Sequence, residues 1–410
     1  MTESDDEYLP ATQNEMSRWM SENAAQAARP IYPVGGRTAL HYGYPIDKPG
    51  ITLSTSKLTN VIDYPARDMT ITVEAGIRID DLVATLRTER QRLAVDVAQS
   101  HRATLGGAVA TNASGPRRYG LGTLRDYVIG VSAIDAAGTP FKAGGRVVKN
   151  VAGYDLCKML IGSLGTLAVV TQLTLKLRPE PESTGLLWVP FDRLSAIDDV
   201  LERLLTSASR PVALDVLDSR AAVTVMVEAG LELPRGRPVL CIGVEGTGRE
   251  TEWQIETLKS EIAPFGPKEF VTVADAAAAR LWTALTEFQV SSEEPVTFKV
   301  SLLPSKMMDF VTHCDGLGLT VQAHAGNGIA IGHLPDGVTT AAAAREILTP
   351  LGDLARRSGG DLVILNCAAG WKRELPMFGE PGPAWPLMRK LKSQLDPRNL
   401  LNPHRFIEPV

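Results

Sequence analysis

Apolar residues at Met16, Trp19 and Met20, followed by an alanine-rich stretch to about Ala28, repeat at helical spacing and predict an opening helix. The short apolar run Ile31-Tyr32-Pro33-Val34 then stops at Gly35-Gly36, as a strand running into a turn does. Ile51 to Ser54 and Thr70 to Glu74 alternate apolar and polar residues, which predicts half-buried strands. Ile79, Leu82, Val83 and Leu86 mark an amphipathic helix, and Tyr127 to Asp135 is a further strand-like run. Strands thus mix with a few short helices, without a regular β-α-β alternation. Leu177-Arg178-Pro179-Glu180-Pro181-Glu182 alternates prolines with charges and reads as a linker. Beyond it, helical segments (Leu194 to Leu205, Glu252 to Ile262, Ala341 to Arg357) alternate with strand-like ones (Val212 to Leu217, Val223 to Val227, Val239 to Val244, Val296 to Leu302). These predict a second α+β domain. The final turn-rich segment, Leu395 to His404, is too apolar for a loose end and is expected to dock on the first domain.

Composition narrows the function. The 410 residues suffice for two or three domains, and a formal net charge of −5 offers no basic excess for nucleic acid or an anionic membrane. The acidic start, Met1 to Glu7, is unlike a signal peptide, and no apolar run is long enough to cross a bilayer. Cys157, Cys241, Cys314 and Cys367 lie far apart, so iron–sulfur and structural zinc sites are not expected within this chain. A cytoplasmic location follows as the expectation.

The chemistry sits in glycine turns. Gly35-Gly36-Arg37-Thr38-Ala39 follows a strand directly, and such a turn can aim N–H groups at a diphosphate. It is neither a Walker loop nor a G-x-G-x-x-G fingerprint, and an ordinary connection would read the same way. Thr104-Leu105-Gly106-Gly107, continuing to Thr111-Asn112-Ala113-Ser114-Gly115, is built of small residues that let backbone lie against a ring system. A tight helix crossing would select the same residues. Tyr119-Gly120-Leu121-Gly122, with Asp126 beyond, adds another turn. Lys149-Asn150-Val151-Ala152-Gly153-Tyr154-Asp155 and Gly162-Ser163-Leu164-Gly165-Thr166-Leu167 complete the series, the last leading into Val169-Val170. Their order suits one large, flat, phosphate-bearing cofactor.

In that order the turns resemble the FAD-binding domain of the PCMH-type (vanillyl-alcohol-oxidase) superfamily over residues from about 28 to 180. Leu395-Asp396-Pro397 with Leu401-Asn402-Pro403 is similar to the ending of FAD-linked 2-hydroxy-acid dehydrogenases. The segments around Ser114, Lys149 and Gly162 resemble the FAD-binding E subunits of bacterial glycolate oxidases. The resemblance implies an α+β chain: a PCMH-type two-part FAD-binding domain (1–180), a smaller α+β cap of the FAD-linked oxidase C-terminal type (181–390), and a returning tail (391–410). It implies FAD contacts at Pro33, Val34, Gly35, Gly36, Arg37, Thr38, Ala39, Thr104, Leu105, Gly106, Gly107, Thr111, Asn112, Ser114, Gly115, Gly120, Gly122, Asp126, Gly165, Val169, Val170 and Asn402. Arg37 occupies the position where some members carry a flavin-linking histidine, so FAD is expected to be non-covalent. The implied partners are a related catalytic flavoprotein subunit and an iron–sulfur subunit, with peripheral attachment to the inner membrane through them, and a small 2-hydroxy acid as substrate.

Metal-dependent members carry H-x-G-D-G-N-x-H and a later Glu-His-Gly. Here His324 persists, while Asn327, Ile329 and Ile331 replace the acid, the asparagine and the second histidine, and Ala368-Ala369-Gly370 replaces the later motif. No metal is therefore expected, with His333, two residues past Ile331, as a conceivable displaced ligand. The resemblance then implies a relay subunit with a degenerate site. The alternative is an independent dehydrogenase or oxidase using Lys149, Tyr154, His324 and Arg373. Lys149 and Arg117 are further candidate anion-holding groups.

Overall fold

The computed structural model describes residues 6–145, 155–290 and 295–406. The chain forms two compact units: one from residues 1–114, 123–180 and 380–410, the other from 115–122 and 181–379. This division departs from the boundaries expected above in two places. Residues 115–122 belong with the second unit, and the chain returns to the first at Glu380.

The first unit opens with β1 (Glu7–Tyr8) and α1 (Gln13–Ala25), whose N-cap Thr12 accepts from the Glu15 N–H. Met16 and Met20, one helical turn apart, are fully buried. A parallel three-stranded sheet, β1-β3-β2, uses β2 (Ile31–Val34) and β3 (Ile51–Ser54). All four β3 residues are buried, so its alternating sequence does not mark a half-buried strand as expected. An antiparallel sheet runs in the order β4 (Val61–Asp63), β5 (Thr70–Glu74), β9 (Val169–Lys176), β7 (Val128–Ile134), β8 (Pro140–Gly144). The helices are α2 (Ile79–Arg87), α3 (Leu105–Thr111), α5 (Leu124–Tyr127), α6 (Leu156–Leu160) and α13 (Trp385–Leu395). The expected linker is partly ordered: β10 (Arg178–Pro179) pairs with β6 (Gln91–Arg92).

The tail closes this unit. Ile31 N donates to Leu400 O (2.7 Å), Asn402 N donates to Ile31 O (2.9 Å), and Leu401 joins the core of Met16, Met20, Ile31, Leu53 and Val169. Lys392 donates to Thr166 O (2.8 Å), Leu401 O (2.8 Å) and Asp396 Oδ2 (2.6 Å), tying α13 to the Ser163–Leu167 turn.

The second unit is one antiparallel eight-stranded sheet: β14 (Val271–Ala274), β11 (Ser183–Pro190), β13 (Val239–Gly246), β12 (Ala213–Leu217), β16 (Thr320–His324), β17 (Ile329–His333), β15 (Val296–Ser301), β18 (Asp361–Cys367). Helices α4 (Arg118–Leu121), α7 (Leu194–Leu204), α8 (Ser219–Glu228), α9 (Gly248–Ile262), α10 (Asp275–Glu287), α11 (Met307–Gly316) and α12 (Ala341–Arg357) accompany it. Val223 to Val227 is helical, not a strand. Asp218 caps α8, and burial at Ala221, Ala222, Val225 and Met226 follows helical spacing despite the β-branched residues. Leu214, Val216, Ala323, Phe298 and Val300 fill one face of the sheet, while the other is polar.

Candidate functional site

In the first unit, three separated segments meet. The Gly35–Ala39 turn follows β2, α3 presents Gly107, Ala110 and Thr111, and the Ser163–Leu167 turn precedes β9. Two adjoining hollows, about 100 and about 70 Å³, share Pro33, Val34, Gly35, Gly107, Ala110 and Leu164 as walls. Gly106, Gly165, Val169 and Val170 line the smaller one, and Arg37, Thr38, Ala39, Thr111, Asn402 and Arg405 the larger. Among the described residues, none accepts from the N–H of Gly35, Gly36, Thr38 or Ala39. A row of undirected N–H donors on a tight turn is a nest for an anion. Buried Arg405 adds a cation there, with its guanidinium held by Leu40 O (2.8 Å) and Tyr42 O (2.6 Å); burial lowers its pKa. A Cβ on Gly36 would lie 1.9 Å from Arg102 O, so close backbone packing already requires this glycine. Gly165 has φ +66°, where a side chain is strained. A larger hollow of about 560 Å³ lies between α6 and α13 and includes Asn402 alone among the residues expected to bind cofactor.

In the second unit, antiparallel pairing places Cys241, Asp215, Gln322, His324, Ile331, His333, Thr297 and Lys299 on the polar face. Asp215 is buried and accepts from Gln322 Nε2 (2.6 Å) through one oxygen. Its other oxygen lies 2.8 Å from His324 Nδ1. A carboxylate only accepts, so Nδ1 carries a proton, and in the neutral form of the ring the lone pair is at Nε2. His333 differs. Its Nε2 donates to Phe288 O (2.8 Å) and its Nδ1 meets Thr297 Oγ1 (3.1 Å), so both nitrogens are used within the fold. Those bonds account for His333 as a packed, hydrogen-bonded histidine. Among the described residues, no group of three or more His, Cys, Asp or Glu side chains could hold a metal ion.

The family model for the FAD binding domain matches residues 8–144. That for the C-terminal domain of FAD linked oxidases matches 180–360 and 369–406, more than half of the chain. The chain belongs to the FAD-linked oxidases. Within that family it is 26% identical to glycolate oxidase subunit GlcD of Bacillus subtilis, over 97% of this chain and 87% of the relative. It is 28% identical to D-2-hydroxyglutarate dehydrogenase of Xanthomonas citri pv. viticola, over 98% and 88%. Glycolate oxidase subunit GlcE of Escherichia coli is 32% identical, but over 42% of this chain and 49% of the relative. The D-subunit likeness spans the whole chain, so the comparisons do not single out the E subunit. The fold is that of p-cresol methylhydroxylase (TM-score 0.74, 16% identity, 97% of this chain and 88% of that one).

As an FAD-linked oxidase this chain is an α+β flavoprotein whose cofactor is FAD. The first-unit cleft suits the diphosphate of that cofactor: undirected N–H groups and Arg405 face it, and small walls at Gly107 and Ala110 let backbone approach closely. Asn112, an expected contact, lines neither hollow: it is the left-handed C-cap of α3 (φ +52°) and buries an Oδ1 without a donor.

The structure gathers Pro33 to Ala39, Gly106, Gly107, Thr111, Gly165, Val169, Val170 and Asn402 in this cleft. Other candidates are absent from its walls. Thr104 caps α3, its hydroxyl accepting from Gly107 N, and Leu105 is core. Asp126 closes a capping box with Thr123. Ser114 also lies outside those walls, at the end of the first unit's opening segment. Gly115, Gly120 and Gly122 lie in the second unit, where Gly120 N donates to Val212 O (3.0 Å). Arg117 pairs with Glu245 (3.3 Å) and covers the Trp282 ring, so it is committed to packing. Arg373 is exposed just after the Ala369–Trp371 turn. Lys149 and Tyr154 lie outside the described residues. Sequence reading missed Ala110, Leu164, Arg405 and Asp215. Arg405 follows the recognisable Asn402-Pro403 ending; the others carry no local signal.

Proposed function

We propose that this FAD-linked oxidase dehydrogenates a small 2-hydroxy acid, with the first-unit cleft holding FAD non-covalently and His324 acting as the base. The Asp215–His324 pair carries this reading. Oxidising C2 requires loss of the hydroxyl proton and of a hydride. FAD, when bound, supplies the two-electron acceptor. Asp215 fixes the ring so that Nε2 is the basic atom, and it stabilises the imidazolium once the proton has moved. Gln322 holds the second carboxylate oxygen, so Asp215 cannot swing away. In the diphosphate cradle, Arg37 stands where a histidine would be needed for covalent attachment, and its guanidinium is paired with Glu7 (2.7 Å). The relatives named for glycolate and D-2-hydroxyglutarate support this substrate class.

The test is anaerobic addition of glycolate, D-lactate or D-2-hydroxyglutarate to the purified FAD-loaded chain. Flavin bleaching is expected, and His324→Gln should slow it about 10²- to 10⁴-fold with flavin content unchanged. A second reading is a relay subunit, attached to the membrane through a catalytic flavoprotein and an iron–sulfur partner. Ile331, Ala368 and Ala369 at the altered motif positions, and the partial likeness to the Escherichia coli subunit, favour it. It requires that bleaching occur only when those partners are added, which would overturn the independent role.

A further inference from the structure

The hollow of about 560 Å³ between α6 and α13 is built wholly from first-unit segments. Its volume falls within the range of small-molecule sites, about 300–1,000 Å³. Its walls grade from apolar to charged. Ile161 and Leu167 are buried, and Met159, Leu391 and Phe406 are half-buried. Arg125 of α5, Lys158 of α6 and Arg389 of α13 are exposed. Arg125 Nη1 donates to Lys158 O (2.8 Å), which brings one guanidinium against the residue that carries the second cation. A guanidinium has five N–H donors, and this bond uses one. Lys158 meets Asp155 at 3.2 Å, an exposed pair of the kind that contributes little. Arg389 lies 5.9 Å from the centre of the Trp385 ring.

Negative charge in these walls is already answered. Among the described residues lining the hollow, the carboxylate is that of Asp396, which accepts from Lys392 Nζ (2.6 Å), Leu400 N (2.9 Å) and Leu401 N (2.7 Å). Lys392 spends its donors on Asp396, Thr166 O and Leu401 O. Thr166 Oγ1 donates to Ser163 O (2.7 Å) and Asn402 Nδ2 to Leu164 O (2.7 Å), so these polar walls also serve the fold. An apolar interior with a cationic rim remains. Sugar or polyol hydroxyls would find few partners there and would lose hydration on entering.

We propose that this hollow binds a monoanionic amphiphile, with its apolar body on Ile161, Leu167 and Leu391 and its acid group at Arg125 and Lys158. The site stands independently of the dehydrogenase reading. Asn402 walls both this hollow and the diphosphate cleft, so the two sites adjoin.

The test is calorimetric titration of the FAD-loaded full chain with octanoate. Octan-1-ol and acetate are the comparisons, each keeping one half of the chemistry. Wild type should bind octanoate about tenfold or more tightly than either. Arg125→Gln and Lys158→Gln combined should bring octanoate down to the level of octan-1-ol, whose own binding should not change. Met388→Glu, at a wall position that is 40% exposed, should weaken octanoate about tenfold by setting a carboxylate in the wall. The two variants alter different elements, so loss of fold in one leaves the other to decide. Failure of wild type to bind octanoate overturns the site, as does equal affinity for octan-1-ol or full octanoate affinity in a folded variant. Binding to apoprotein but not to the FAD-loaded chain also overturns it, because the hollow then belongs to the cofactor. Flavin bleaching by a 2-hydroxy acid is read separately and is untouched by any of these results.

Discussion

His324 and His333 lie on one face of the same sheet, yet hydrogen bonding gives them opposite roles. His324 spends Nδ1 on Asp215 and keeps Nε2 available, whereas His333 spends both nitrogens on Phe288 and Thr297. His333→Gln should therefore lower stability by about 1–3 kcal/mol in urea titrations, through the buried carbonyl left unpaired, while leaving the bleaching rate of folded protein nearly unchanged. Asp215→Asn should do the reverse, cutting the bleaching rate about 10²-fold or more by favouring the wrong tautomer.

At the scale of elements, α3 and α8 show how caps and small residues set local structure. Ala110, one turn along α3 from Gly106 and Gly107, lines both hollows of the cleft. Ala110→Leu should fill that space and reduce bound flavin in the absorbance spectrum, with little change in Tm of the apoprotein. Gly36 is a poor test, because any side chain there strikes Arg102 O before it meets a ligand. Asp218 caps α8 by accepting from Arg220 N (2.9 Å) and Ala221 N (2.7 Å), but it is wholly buried, and burial raises its pKa to about 6. The folded state thus holds the proton more tightly than the unfolded chain, whose carboxyl titrates near 3.9. Stability contributed by this group is present below about pH 4 and lost as pH rises to about 6. Asp218→Asn retains a capping oxygen and should remove that slope from the difference between wild-type and variant urea midpoints.

For the molecule as a whole, the chain closes on itself in the first unit. Leu401 is fully buried in a core whose other members come from residues 16 to 169, and Asn402 donates to Leu164 O (2.7 Å) beside the cleft. Lys392 holds this junction with three bonds, although burial lowers its pKa. Lys392→Met leaves Asp396 with a buried charge and should cost about 3 kcal/mol in urea unfolding, together with loss of flavin. Full flavin retention would show that the cleft does not depend on the tail. Among the described residues, no helix is long and apolar enough to cross a membrane.

Local patterns were enough to predict α1, β2, α2, α7, α12 and the docking of the tail, because periodicity and glycine turns act between near neighbours. They failed at Val223 to Val227, where the Asp218 cap and burial at helical spacing outweighed β-branched propensity. That Asp215 reaches His324 across 109 positions depends on strand order and register in an eight-stranded sheet. Spacing along the chain carries no such information. The turns determined which cofactor class the chain can hold, whereas tertiary pairing decided which side chains meet across the sheet.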